Sequence, residues 1–416
     1  MTYTLDEERL VDTMQRQAAI GGTAEGGLHR VALSAADGEV RDWFREELAA
    51  AGLSVRVDEV GNVFGRREGT DPDAAPVLLG SHLDSQPHGG IYDGALGVVA
   101  ALEFVRALED DGVETRRPIE VVDWTDEEGT RFPAGPSGSS VWVGDATTTD
   151  AYATTDADGV RFEDALDAIG YRGEVPAEPR EEYEAYLELH VEQGPRLADA
   201  GADVGVVTGV VSRSWGEVTF EGAADHSGTT PMHRRSDAMV AAAELVLAIR
   251  RTACAVGERT VGTAGSVGVA PDSINVVPGE ASVTWDLRDP SDAVVDDARE
   301  RVLSEAATAA EREGVEWSHE DRTRSYRTDF DDRCVETVQA AADDLGYESA
   351  QLISAAGHDA PNLADVTDVG MVFAVSENGK SHSPEEFTTW EHCYTAANTL
   401  ATAAFRLADG PSGSDA

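Results

Sequence analysis

The chain has 416 residues, 41% hydrophobic and 27% charged, which places it in the globular class and makes two domains more natural than one core. Asp and Glu number 79 against 32 Lys and Arg, a formal net charge of −47, and such a polyanion repels nucleic acid and anionic membranes, so neither is an expected partner. No apolar run reaches about 18 residues, and residues 1–10 lack the basic-then-apolar order of a signal peptide, so a cytoplasmic protein is expected.

The acid runs from Asp6 to Asp415 without a block of five or six like charges, and Lys380 is the single lysine. A dispersed, lysine-poor acidic surface suits molar salt, where the Debye length shrinks to about 3 Å and self-repulsion nearly vanishes. The expectation is a halophilic protein whose melting temperature falls as salt is withdrawn; equal melting temperatures in low and molar salt would rule it out. Cys254, Cys334 and Cys393 are far apart and form no CxxC pair, so neither a disulfide framework nor a thiolate metal site is expected.

Apolar spacing predicts helices over 7–19 and 35–51, then strands over 54–59 and 77–79, the latter running into Gly80-Ser81-His82-Leu83-Asp84. A buried helix over 94–107 and a strand over 118–124 follow, the strand ending in Thr125-Asp126-Glu127-Glu128; a further strand, 186–190, ends at His190. Strand, polar loop and helix recur, and in open α/β sheets ligand chemistry gathers at the carboxyl ends of strands. From about Val206 the texture changes to strand 216–222, helix 236–252, strand 281–286 and the acidic helix 292–313, a separate α+β domain. After Tyr326 the α/β pattern returns and closes in helix 389–407. The expected organisation is a catalytic domain over 1–208 and 327–408, an insertion over 209–326, and a disordered tail over 409–416.

His82, two residues before Asp84, has the spacing of an imidazole oriented by a carboxylate. Asp93 lies between glycine turns in Gly89-Gly90-Ile91-Tyr92-Asp93-Gly94, where backbone approaches closely and a carboxylate offers two oxygens to bridge cations. Among Asp126-Glu127-Glu128, one carboxylate can ligate while its neighbour serves as general base. His190 and His382 complete three imidazoles and two carboxylates, a set that suits two metals about 3.5–4 Å apart sharing one carboxylate. Mixed N/O ligation without thiolates points to Zn²⁺, with Mn²⁺, Co²⁺ or Ni²⁺ as alternatives. Each residue alone reads equally well as structural, and His29, His88, His233, His319 and His392 keep that reading.

In order, the segments 80–84, 89–97, 126–132, 188–195, 225–232 and 381–385 resemble the amidase, hydantoinase and carbamoylase branch of the zinc-peptidase superfamily. That branch includes N-carbamoyl-L-amino-acid hydrolases, β-ureidopropionases and allantoate amidohydrolases. The resemblance implies an α/β zinc-peptidase-like catalytic domain with a mixed sheet, interrupted by an α+β ferredoxin-like lid and dimerisation domain, and hence a homodimer. It assigns His82, Asp93 and His190 to one metal, and Asp93, Glu128 and His382 to the other. Glu127 becomes the general base, Asp84 the partner of His82, and His226 the lid-domain donor to the oxyanion across the dimer. Asn275 and Arg288 become the grip on a substrate carboxylate; Gln193, Gly357 and His358 line the pocket.

Asp225 and Ser227 stand where asparagine and alanine are expected around His226, and Trp215 stands where allantoate-specific members carry arginine. Tryptophan cannot grip an anion, so a carbamoyl amino acid is favoured over allantoate. The expected function is metal-dependent hydrolysis of a ureido or amide substrate bearing a carboxylate, foremost an N-carbamoyl-L-amino acid. Allantoate or ureidoglycolate amidohydrolysis comes next, then aminoacylase or peptidase activity; an inactive metal-binding scaffold is the alternative outside enzymes.

Overall fold

The computed structural model describes residues 2–133 and 135–409. They divide into two compact units, one formed by the chain up to Thr208 and again from Phe330, the other by Gly209–Asp329. The tail expected over 409–416 lies outside the described residues except for Asp409, which ends the helix Trp390–Asp409.

The first unit is built on a mixed sheet with strands in the order Val204–Val210, Val369–Ala374, Ala185–Val191, Val77–His82, Ile119–Trp124, Val63–Arg67 and Ser54–Val57. The four from Val369–Ala374 to Ile119–Trp124 run parallel, and every residue in them is buried, as apolar strands covered on both faces require. Pairing of Gly80 with Glu188, and of His82 with Trp124, sets the carboxyl ends of three neighbouring strands side by side. Those ends carry His82, the Asp126–Glu128 loop and His190.

The helix Ala95–Asp111 is apolar on nearly all sides, packs on the central strands and stops at Gly112, which takes the left-handed conformation of a helix C-terminus. It packs also on Trp390–Asp409 and on Glu7–Ala19, whose Asp6 side chain caps the Arg9 N–H. The predicted strand 54–59 stops at Val57, because Asp58 turns its carboxylate back to accept the N–H groups of Val60 and Asn62.

In the second unit all strands are antiparallel, ordered Val261–Thr263, Glu280–Asp289, Ser212–Glu221 and Glu316–Ser325, with Val267–Ala270 also pairing Glu280–Asp289. Strand–helix–strand–strand–helix–strand connectivity makes this a ferredoxin-like fold. Alternate residues of Ser212–Glu221 and Glu280–Asp289 are buried, and Val218, Phe220, Val283, Trp285 and Leu287 meet the alanine-rich helices Ala238–Val256 and Asp292–Glu313. Glu316–Ser325 escapes the sequence patterns because it is a mostly exposed, charge-rich edge strand without apolar alternation; such edges resist pairing with other chains. No described helix is long and apolar enough to cross a membrane.

Candidate metal centre

His82 is buried at the end of its strand, and its Nδ1–H donates to the Asp84 carbonyl at 3.0 Å. The carboxylate expected to do this stands farther off, with Oδ1 at 3.7 Å. Instead the Asp84 carboxylate accepts the backbone N–H groups of Glu127 and Glu128 at 3.2 and 3.3 Å, and so shapes the loop that carries both glutamates. His82 Nε2 is left facing inward, buried and without a hydrogen-bond partner. Gly94, at φ 64°, closes over the ring; a Cβ there would lie 2.4 Å from Nε2, so no side chain fits.

His190 donates Nδ1–H to the Val191 carbonyl at 3.0 Å, and its Nε2 is 2.9 Å from Asp93 Oδ1. His382 Nε2 stands 3.3 Å from Asp93 Oδ2 and 3.6 Å from Glu128 Oε2. Two sets of side-chain atoms therefore converge, His82–Asp93–His190 and Asp93–Glu128–His382, each with its atoms within 4.8 Å of one another. Asp93 belongs to both. Glu127 lies beside them, its Oε2 3.4 Å from His82 Nε2.

The electrostatics call for a cation. Burial, followed by repulsion from Asp359, Glu128, Asp84 and Glu188, holds the Glu127 carboxyl well above the usual range. Burial and then Asp93 push Glu128 up to about 7. His82 is pushed down to about 4, first by burial, so its ring is neutral and Nε2 presents a lone pair. A neutral imidazole with an orphaned buried nitrogen, set among mutually repelling carboxylates, fits a divalent metal. Backbone strain gathers at the same place: Asp126, Gln193 and His382 all have positive φ without being glycine.

Several supporting contacts carried no signal in the sequence, even where the residue lay in a segment already singled out, as Glu188 does. Gln86 gives its backbone N–H and its amide to the two oxygens of Glu128, at 3.0 and 2.7 Å. Glu188, buried behind His190, accepts from Ser81 and the Ala360 N–H, while Asp359 accepts from Ser139. A serine or glutamine in a loop is unremarkable until folding brings it to a carboxylate. Glu386, which the structure buries, follows directly on the 381–385 segment, and that adjacency is the signal that could have found it.

Of the expected pocket residues, Gln193 donates its amide to both Asp93 oxygens at 3.1–3.2 Å and lies 3.2 Å from His382 Nε2. His358 is buried with its ring edge-on to His190, centroids 4.5 Å apart, and Gly357 is exposed before it. The others belong to the second unit. His226 is exposed, its Nδ1 accepting the Gly228 N–H, and Asp225 caps the His226 backbone N–H at 2.7 Å, not the imidazole. The Asn275 carbonyl accepts from Ser227 N–H, so the turn carrying Asn275 adjoins the end of the short strand Asp225–His226, which pairs Val276–Val277. Arg288 forms a fork with Asp286 and reaches to 5.9 Å from the Trp215 ring, which Arg213 covers at 4.0 Å.

Two imidazole–carboxylate sets sharing one buried aspartate, beside a glutamate whose carboxyl is held above its usual range, define the metallohydrolase class. Residues 78–406 match the profile of peptidase family M20/M25/M40. The chain is 40% identical over 405 residues to an N-carbamoyl-L-amino-acid amidohydrolase of Rhizobium meliloti, covering 97% of each. It is 35% identical to a ureidoglycolate hydrolase of Oryza sativa subsp. japonica, covering 97% of this chain and 85% of that one. An amidase of the hydantoinase/carbamoylase family from Burkholderia vietnamiensis superposes with a TM-score of 0.92 at 40% identity, covering 98% and 99%. The chain belongs to the M20/M25/M40 peptidase family, whose enzymes use divalent metal ions.

Proposed function

We propose that this chain hydrolyses the linear C–N bond of an N-carbamoyl-L-amino acid, releasing the amino acid, ammonia and carbon dioxide. The observation that carries the reading is the pair of donor sets meeting at Asp93 with the Glu127 carboxylate beside them. In this reading His82, Asp93 and His190 hold one divalent metal and Asp93, Glu128 and His382 a second, Zn²⁺ first among the candidates. Bound there, such ions polarise a carbonyl and bring the pKa of water toward neutrality.

The chain's own groups supply the proton chemistry. Glu127, its basicity raised by burial, takes a proton from the attacking water and returns it to the departing nitrogen. Asp84 fixes the loop from which Glu127 projects. His226 is the donor assigned to the developing oxyanion, and Gln193, Gly357 and His358 line the ureido end. Asn275 and Arg288 bind the substrate carboxylate, Arg288 with a planar fork already ordered by Asp286. Exposed Met239, Val240, Leu247, Val261 and Val267 on the second unit support a homodimer formed through it.

A second reading, ureidoglycolate or allantoate hydrolysis, has the rice relative in its favour. Trp215 weighs against it, although Arg213 lies over its ring and adds a cation nearby. A panel of N-carbamoyl-L-amino acids, allantoate, ureidoglycolate, an N-acetyl amino acid and a dipeptide, run in molar salt with Zn²⁺, Mn²⁺, Co²⁺ or Ni²⁺, separates them. Ammonia release is expected to be fastest from a carbamoyl amino acid. Faster turnover of the dipeptide, or no carbamoyl turnover with any metal, would overturn the proposal.

A further inference from the structure

The loop carrying Asp93 and the loop carrying His382 are almost 290 residues apart in sequence, and one buried side chain joins them. Glu386 is 5% exposed. Its Oε1 accepts the backbone N–H groups of Tyr92 and Asp93 at 3.2 and 3.1 Å, and its Oε2 accepts the Ser381 hydroxyl at 2.7 Å. Gly90 wraps the same carboxylate so closely that a Cβ there would fall 2.0 Å from Oε1. The Ser381 oxygen also lies 3.2 Å from Asp93 Oδ2.

We propose that Glu386 is a positioning residue for the metal centre, holding the Asp93 backbone directly and keeping the Ser381 proton away from the Asp93 carboxylate. The inference rests on the reading of Asp93 as the ligand common to both metals. A serine hydroxyl has one hydrogen and here two carboxylate neighbours. The shorter contact, 2.7 Å to Glu386 against 3.2 Å to Asp93, takes it. Asp93 Oδ2 then receives no hydrogen bond from Ser381, and the Gln193 amide is left as its donor.

Glutamine at 386 would preserve the clamp on the two N–H groups while reversing the other contact. Its amide would donate to Ser381, and the freed hydroxyl hydrogen would turn to Asp93 Oδ2, drawing charge out of the shared ligand. Residues that orient a metal ligand in this way typically change affinity by about 10–100-fold.

The test is a Co²⁺ titration of metal-free wild type, Glu386→Gln, Ser381→Ala and the double variant, read by calorimetry and the visible absorption of bound cobalt. Wild type is expected to bind two ions per chain. Glu386→Gln should bind them about tenfold or more weakly, with the metal-free melting temperature close to wild type. Ser381→Ala should leave affinity near wild type. The double variant should recover most of the affinity lost in Glu386→Gln, because no hydroxyl remains to turn toward Asp93; such suppression is a non-additivity that a merely structural role would not produce. Wild-type affinity in Glu386→Gln, or a defect that Ser381→Ala does not relieve, would overturn the inference while leaving the two-metal reading in place. If Glu386→Gln fails to fold, Ser381→Ala decides alone: a rise in affinity of about tenfold would mean that the serine proton already sits on Asp93 in the wild type, and would overturn the inference. A wild-type protein that takes up no cobalt would overturn both.

Discussion

Glu127→Gln is expected to lower kcat by about 10²–10⁴-fold, the usual worth of a general base, with metal content unchanged and KM little altered. The substitution is nearly isosteric. It also leaves the local fold intact, because the contact that shapes this loop is made by the Glu127 backbone N–H to Asp84, not by its side chain. What changes is basicity. The carboxyl is held above its ordinary range by burial and by Asp359, Glu128, Asp84 and Glu188, and an amide cannot accept the proton from water at any attainable pH. Steady-state kinetics on the best carbamoyl substrate, with metal analysis of the same preparation, checks both halves. Activity within tenfold of wild type would move the proton-transfer role to another group. Loss of metal along with activity would instead make Glu127 a ligand.

Asp93→Ala is expected to remove both metals together and to lower activity at least about 10³-fold, since metal binding is worth several kcal/mol of transition-state stabilisation. The reason is topological. Asp93 is the one residue common to both donor sets, its Oδ1 facing His190 and its Oδ2 facing His382. Glu128→Ala or His382→Ala removes a donor from one set only, so those variants should retain about one ion per chain while Asp93→Ala retains neither. Chelation of the wild type should reproduce the Asp93→Ala defect, and added metal should reverse it only in the wild type. Independent loss of one ion in Asp93→Ala would show that the two sets do not share this carboxylate.

Legibility in the sequence followed the range of the physical cause. The helices Glu7–Ala19 and Asp292–Glu313 are set by local apolar spacing and capping, and the parallel strands by short apolar runs ending in polar residues, all of which a single pass can read. His82, Asp93, Glu128, His190 and His382 stood out because each closes a strand or glycine-rich loop with a metal-capable side chain. The edge strand Glu316–Ser325 and the short helices Ser137–Val143 and Thr148–Ala153 gave no such pattern, since exposed or brief elements need no periodic apolar face.

By itself, then, the sequence determined the residue types of the centre, the α/β and α+β textures, and the excess of negative charge. These are properties of composition and of neighbours a few residues apart. Only the tertiary structure decided that the Asp84 carboxylate orders the Glu127 loop in preference to the His82 ring, and that Gln86 and Glu386 support Glu128 and Asp93. Those are contacts across about 40 to 290 residues of chain, fixed by parallel strand register and loop closure, and burial is what gives them weight. A carboxylate in water is indifferent to which donor it meets; one held in a loop at the strand ends, away from solvent, is not.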